Sequence, residues 1–280
     1  MWSWLKALAS APAKRQAAAI PDKLWLPLLE ELPFLAALAP AECEKLRGLA
    51  AAFLADKEFH GAGGLAITDA MALSIAAQAC LPLLHLRPLQ PGPRADVLDW
   101  YGDFVGIVVH PGEVVARREA VDDATGVVHH YDEVLSGEAM DGGPVMLSWD
   151  EVARAGDAMV HGTNVVVHEF VHKIAMQGHR SDDAPGGCPP LPRGFLGTRS
   201  ARAAVAAWFA ALEPAYQAFR EKVIIAERFS GEPTWLDPYG AESLDEFFPV
   251  ACEAYFVNRT KFAQEFPTLM PVFDGLFRSR

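Results

Sequence analysis

The sequence lacks an excess of positive charge and a paired cysteine motif, and each absence excludes a class of protein. Its 24 Lys and Arg residues are outnumbered by 36 Asp and Glu residues, which leaves a net charge of −12. A protein with this balance is not expected to bind nucleic acid directly, because its average surface would repel the phosphate backbone. The four cysteines are scattered without a C-x-x-C pair. They therefore indicate neither a disulfide framework nor a thiolate zinc site.

Long apolar runs are also missing, which argues against membrane insertion. No stretch approaches the ~18 uncharged apolar residues that a spanning helix needs. The N-terminal segment 1–22 contains small-x-small triplets, but Lys6 interrupts its short apolar stretches, so the pattern does not favour a signal peptide. Together with the unpaired cysteines, this predicts a cytoplasmic protein in a reducing compartment.

The 280 residues are 51% hydrophobic, enough for a sizeable core, and they divide into three zones. The first, to about residue 90, is rich in Ala and Leu with helical spacing, whereas about 100–148 holds short β-branched runs. From about 149 to 280 the pattern is helical again, with one Gly- and Pro-rich loop at 178–197. We predict an α+β fold, mainly helical with a small sheet, forming one domain over 23–280 after the segment 1–22.

Several elements can be placed within these zones. One helix is predicted to begin at Pro40, and another after Thr68 with its end at Pro82. Three to five strands are predicted, in the stretches 104–109, 112–116, 127–135 and 144–148. The glycines at 61–64 indicate a turn, because no Lys-Ser or Lys-Thr follows them as in a phosphate-binding loop.

The segment from Asn164 to Gly178 contains the most informative motif. Asn164 is a good helix N-cap and Gly178 a good helix stop, and the residues between them are mostly apolar. His168 and His172 are four apart, so they project from one face of this helix and can reach one metal ion. Glu169 lies beside them, which completes the H-E-x-x-H arrangement of zinc hydrolases. There the metal activates a water molecule and a carboxylate accepts its proton.

The pattern alone offers two schemes for the third metal ligand. In the scheme H-E-x-x-H-x-x-G-x-x-H, Gly and His would occupy the positions of Ala175 and Gly178, so that scheme is rejected. A glutamate from a second helix is the other scheme, and Glu246 and Glu253 share one helix face seven residues apart. Glu246 also fits a capping box with Ser243. From the residues alone, Glu246 and Glu253 are equally good candidates for the third ligand.

The chain resembles the Mlc titration factor A family of bacterial zinc peptidases from about Leu24 to Phe277. The segments that carry the resemblance include the H-E-x-x-H helix and several stretches outside it, namely Phe53–Lys57, Gly61–Leu65, Ile75–Leu84, Gly143–Trp149, Asn164–Met176, Pro189–Leu191, Glu246–Val250 and Glu253–Phe256. Together they are far more specific than the five-residue motif.

The resemblance implies a glutamate-type zincin, similar in its metal core to the catalytic domain of anthrax lethal factor, with a small mixed sheet beside the H-E-x-x-H helix. It implies one zinc ion per chain, held by His168, His172 and Glu246. Glu169 would be the general base and Tyr239 the hydroxyl that stabilises the oxyanion. Glu253 would then be the carboxylate that orients a zinc-bound histidine.

The activity implied by the resemblance is peptide hydrolysis, mainly of the aminopeptidase kind, so a peptide is the expected substrate. The family also binds and inactivates Mlc, a transcription repressor of sugar-uptake genes, which makes a Mlc-like repressor the expected protein partner. The alternative is a regulatory factor that sequesters the repressor, with the zinc site secondary.

Overall fold

The computed structural model describes residues 19–90, 92–93, 95–112, 114–121, 128–135, 137–178 and 188–278. Most of the predicted N-terminal segment 1–22 lies outside this part of the chain, as do residues 179–187 of the Gly- and Pro-rich loop predicted at 178–197.

Helices form most of the described structure. The α-helices in chain order are α1 (Asp22–Glu31), α2 (Pro33–Ala36), α3 (Pro40–Asp56), α4 (Asp69–Cys80), α5 (Trp149–Ala153), α6 (Ala155–Ala158), α7 (Val165–Met176), α8 (Ala201–Phe229), α9 (Leu244–Val257), α10 (Arg259–Glu265) and α11 (Met270–Phe277). Short 3-10 helices cover Val97–Tyr101, Met159–His161, Phe195–Gly197 and Pro238–Ala241. None of the helices in the described residues is long and apolar enough to cross a membrane.

The strands form one mixed sheet and one separate ribbon. They are β1 (Glu58–Gly61), β2 (Gly106–His110), β3 (Val114–Val121), β4 (Val128–Leu135), β5 (Gly137–Ala139) and β6 (Val145–Ser148). The sheet order is β1-β2-β6-β5, in which β5 runs antiparallel to β6 and the other pairs are parallel. Strands β3 and β4 pair only with each other, antiparallel. The predicted α+β class with a small mixed sheet is confirmed.

The structure also differs from the sequence-based predictions in the strands. Strand β1 was not expected, because its residues are mostly exposed and show no apolar alternation. It ends at Gly61, so a strand does precede the glycine turn at 63–64. The stretch predicted as 112–116 extends to Val121 and forms the ribbon with β4 instead of joining the sheet. Strand β5 was also missed, since three residues beginning with Gly137 carry no pattern.

Helix α7 lies at the centre of the fold. It packs against α9, α4 and the strands β5 and β6. Five of its apolar side chains are fully buried, and one of them, Phe170, packs edge-on against Phe53, Tyr101 and Phe104, with ring centroids 5.0–5.9 Å apart. Burying each such side chain contributes about 1.5–3 kcal/mol, so α7 is held rigidly while its other face is available for polar residues.

Candidate metal centre

Helix α7 begins as the sequence predicted. The Asn164 side chain accepts a hydrogen bond of 2.9 Å from the Val167 amide, which satisfies one of the free N–H groups of the first turn. The helix ends at Met176, two residues before Gly178. Gly178 does not adopt a left-handed conformation. A glycine is required at position 178 because a Cβ atom there would overlap the carbonyl oxygen of Cys188.

Three side chains from two helices converge on one point. His168 Nε2 lies 3.1 Å from His172 Nε2, and Glu246 Oε2 lies 3.2 Å and 3.1 Å from these two nitrogens. The histidines come from α7, and Glu246 comes from the first turn of α9. Among the described residues these three form the group that can hold a metal ion.

The spacing of these three atoms fits a divalent cation with tetrahedral coordination. Ligand atoms placed 2.0–2.1 Å from such an ion lie about 3.3 Å from one another. Two neutral imidazole nitrogens and a carboxylate form a donor set that zinc accepts, and three protein ligands leave one position for water or substrate.

Glu253 fixes the orientation of His168. The His168 Nδ1–H donates to Glu253 Oε1 at 2.8 Å, which leaves the Nε2 lone pair directed at the cluster. The other oxygen of Glu253 accepts a short hydrogen bond from the Asn164 amide. Carboxylates in this position raise the basicity of a metal-binding histidine and hold its ring. Glu246 and Glu253, the two candidates for the third metal ligand, therefore both lie at His168, one at each of its ring nitrogens.

The start of α9 shows why Glu246 is free to face the histidines. Ser243 caps the helix, and its hydroxyl accepts a hydrogen bond of 3.1 Å from the Glu246 amide. The carboxylate of Glu246 lies at the two imidazoles. Burial alone would raise the pKa of Glu246, but the two neighbouring imidazoles outweigh it and hold this pKa well below its usual range. This carboxylate is therefore anionic at neutral pH.

Glu169 lies beside the cluster and is almost completely buried. Burial raises its pKa to about 7, although the neighbouring His168 acts in the opposite direction. A carboxylate with a pKa close to the working pH can both accept and return a proton, which is the requirement for a general base that later acts as an acid. The carboxylate packs against Gly137 of β5.

Tyr239 comes from the 3-10 helix that precedes α9. Its ring centroid lies 6.0 Å from that of His168, and it is one of the more exposed large side chains of the described residues, with 37% of its surface accessible. Its amide donates to Asp237 at 2.9 Å, which fixes the turn. The structure therefore brings Tyr239 to the rim of the cluster.

Sequence reasoning missed three residues around this centre. Gln78 of α4 is fully buried, and its Oε1 accepts a hydrogen bond of 2.7 Å from the Asn164 side chain. Lys173 of α7 is fully buried beside β5 and β6, and Gly137 packs against Glu169. A polar residue inside an otherwise apolar helix was the available signal for Gln78 and Lys173. No local signal marked Gly137, because its role depends on a contact between distant segments.

The other sequence predictions have mixed outcomes. No disulfide joins the four cysteines, and Cys80, Cys188 and Cys252 are buried. The aromatic residues of α9, which an apolar helix is expected to bury, belong to the core, with Phe247 and Phe248 fully buried. The side chains of His129 and His130, and all of His179, lie outside the part of the chain that the structure describes.

Comparison with known proteins assigns the chain to a family. The model of the family described as glucose-regulated metallo-peptidase M90 matches residues 6–278. A Klebsiella pneumoniae protein named Mlc titration factor A is 31% identical over 88% of this chain and 83% of its own length. Mlc titration factor A of Edwardsiella ictaluri is 29% identical over 95% of this chain and 92% of its own. A protein of Synechocystis, slr2042, is 33% identical over 83% and 75% of the two chains. The chain therefore belongs to the M90 family of glucose-regulated metallo-peptidases.

Proposed function

We propose that this protein is a zinc-dependent peptidase of the aminopeptidase kind that acts in the cytoplasm. The observation that carries the proposal is the convergence of His168 Nε2, His172 Nε2 and Glu246 Oε2 at 3.1–3.2 Å, with a buried glutamate beside them. In this proposal these three residues hold one zinc ion per chain. When bound, the ion would polarise the substrate carbonyl and lower the pKa of water toward about 7.

Each of the surrounding residues has a role in hydrolysis. Glu169 accepts a proton from the attacking water and then returns that proton to the leaving amine, so the carboxylate is regenerated after each cycle. Tyr239 donates a hydrogen bond from its hydroxyl to the developing oxyanion at the open rim. Glu253 keeps His168 in the tautomer whose Nε2 faces the metal position.

A catalytic site agrees with the donor set better than a structural site does. Structural zinc ions have four protein ligands, usually including cysteines. In the described residues the candidate group has three members and contains no cysteine. The fourth position is thus available for water or substrate.

The test replaces the proposed base without changing its shape. Glu169→Gln is expected to retain one zinc per chain, measured by elemental analysis, and to lose about 10²- to 10⁴-fold in kcat on an aminoacyl p-nitroanilide. His172→Ala is expected to lose the zinc as well as the activity. Glu265→Gln, at an exposed position on α10, is the matched control and should behave like the parent protein. Unchanged turnover by Glu169→Gln would refute the enzymatic proposal.

A second candidate function is binding of a Mlc-like transcription repressor, with the zinc site secondary. It is favoured by the name Mlc titration factor A, which two of the similar proteins carry. Purified Mlc should bind the parent protein and Glu169→Gln equally well, as measured by calorimetry. If that binding is found and the parent protein cleaves no peptide, the repressor-binding function stands alone. If no binding is found, this second candidate is excluded for Mlc itself.

A further inference from the structure

Two polar residues of helix α7 face the hairpin formed by β5 and β6. Glu169 and Lys173 are four residues apart, so they lie on one face of the helix, a turn from each other. Both are buried, Lys173 completely. Glu169 meets the first residue of β5, and Lys173 meets the turn that joins β5 to β6.

The contact of Glu169 with Gly137 leaves no room for a side chain on the strand. A Cβ atom at position 137 would lie 2.5 Å from Glu169 Oε1, 2.7 Å from its Cγ and 2.8 Å from its Cδ. Real Cβ atoms do not approach other heavy atoms this closely, so one partner would have to move. The glutamate side chain is the flexible partner, whereas the strand is held by its ladder to β6. The strand backbone therefore limits where the Glu169 carboxylate can lie.

Lys173 attaches the same hairpin to the helix at its other end. Its ammonium donates to the carbonyl oxygens of Met140 and Gly143, the latter at 2.9 Å, and it lies 3.4 Å from a carboxylate oxygen of Asp103. The Phe104 ring covers the ammonium, with its centroid at 4.6 Å. Charge-assisted hydrogen bonds in a buried site are strong and geometrically restrictive. The turn after β5 is thus fixed to the helix that carries Glu169.

We propose that the β5–β6 hairpin positions the Glu169 carboxylate, and that Gly137 and Lys173 are the two positioning residues. This inference rests on the proposed function of Glu169 as the general base. Gly137 acts by lacking a side chain where the carboxylate lies, and Lys173 acts by holding the hairpin at a fixed distance from α7. A displacement of about 1 Å in a reacting group can lower turnover about 10²-fold, so this spacing is sufficient to control the rate.

The first variant adds a single methyl group to the strand. Gly137→Ala should keep zinc stoichiometry and circular dichroism, leave KM within about twofold, and lower kcat by about 10²-fold. Gly106→Ala is the matched control on a strand of the same sheet, where a Cβ atom would make an ordinary contact of 3.6 Å with Pro144. Parental kcat for Gly137→Ala would overturn the proposal.

The second variant removes the ammonium that fixes the turn. Lys173→Met should lower kcat by about 10- to 100-fold at unchanged zinc content. Lys57→Met is its control, since Lys57 is also buried and its ammonium lies over the same Phe104 ring, at 4.3 Å. Lys57 donates to the carbonyls of Tyr101 and Phe104, at 2.5 Å and 2.7 Å, instead of to carbonyls of the hairpin. Both lysine variants should lose similar thermal stability. Equal loss of kcat in both would mean that Lys173 stabilises the fold without positioning the base.

A double-mutant cycle separates this proposal from the proposed function itself. Glu169→Asp shortens the side chain by one methylene and withdraws it from position 137. If Gly137 acts through this carboxylate, Gly137→Ala should change the kcat of Glu169→Asp by less than about threefold, well below its effect on the parent protein. Additive effects would contradict positioning. An active Glu169→Gln variant would refute the general-base role. An inactive Glu169→Gln variant together with a fully active Gly137→Ala variant would refute only the positioning role of the hairpin.

Discussion

At the scale of single residues, three glutamates near His168 differ because their surroundings differ. Glu246 lies against two imidazoles, which outweigh its burial and lower its pKa, and it is anionic. For Glu169 burial is the stronger effect, and it raises the pKa to about 7. Glu253 is buried as well, and its pKa is raised, yet it accepts hydrogen bonds from His168 and from the Asn164 amide. The same residue type is thereby suited to metal binding, proton transfer and orientation.

The proposed orienting role of Glu253 leads to a prediction about metal affinity. Glu253→Gln places an amide N–H₂ opposite His168 Nδ1, which favours the tautomer that carries its proton on Nε2. That proton occupies the position where the metal would bind, so zinc affinity is expected to fall about 10- to 100-fold. Competition with a fluorescent zinc chelator measures this dissociation constant. Glu213→Gln, at an exposed position on α8, should retain the parental value. Parental affinity in Glu253→Gln would show that the carboxylate is not needed to orient the histidine.

At the scale of elements, the start of α7 connects three helices through one residue, Asn164. Asn164 accepts from the Val167 amide and donates to Gln78 of α4, while its own amide donates to Glu253 of α9. Gln78 in turn donates to the carbonyl and hydroxyl oxygens of Ser74, both at 3.1 Å. A buried polar chain of this kind stabilises the fold only when each member has its partners.

Asn164→Ala should therefore lower the free energy of unfolding by more than the loss of an ordinary helix cap does. It removes the cap of α7 and leaves the Gln78 Oε1 buried without its donor, which together are expected to lower the free energy of unfolding by about 2–4 kcal/mol. Ser200→Ala is the matched control, because Ser200 caps α8 at an exposed position and accepts from Ala203 at 3.2 Å. That change should cost about 1 kcal/mol. Urea unfolding followed by circular dichroism distinguishes the two values, and equal losses would mean that the contact with Gln78 contributes nothing.

The elements that the sequence predicted are those determined by local patterns. Helix α7 follows from the cap at Asn164 and the spacing of its apolar residues, and α4 follows from Thr68, whose hydroxyl accepts from the Met71 amide at 3.2 Å. The strands β1 and β5 escaped prediction because pairing with distant strands, and not their own residues, makes them extended. The position of Gly137 against Glu169 depends on that pairing, so the sequence alone gave no indication of it.

At the scale of the whole molecule, the candidate centre joins two halves of the helical core. Helix α7 packs through Phe170 on an aromatic group from the first half of the chain, whereas α9 packs through Phe248 on Trp208 and Phe273 from the last third. The two helices are in direct contact. Because apolar packing on both sides sets their relative position, we expect the three donor atoms to converge without the metal.

Metal removal is therefore expected to lower stability without unfolding the protein. At a free zinc concentration 100 times the dissociation constant, binding adds about 2.7 kcal/mol of stability, which for a chain of this length corresponds to a Tm shift of about 5 °C. Dialysis against a chelator should lower the Tm by that amount and leave the far-ultraviolet circular dichroism unchanged, and zinc should restore the Tm. His172→Ala should show no shift on chelation, because one of the three donor atoms is missing. Loss of helical signal in the chelated parent protein would contradict a preformed site, since it would mean that the metal, and not the two aromatic groups, holds α7 and α9 together.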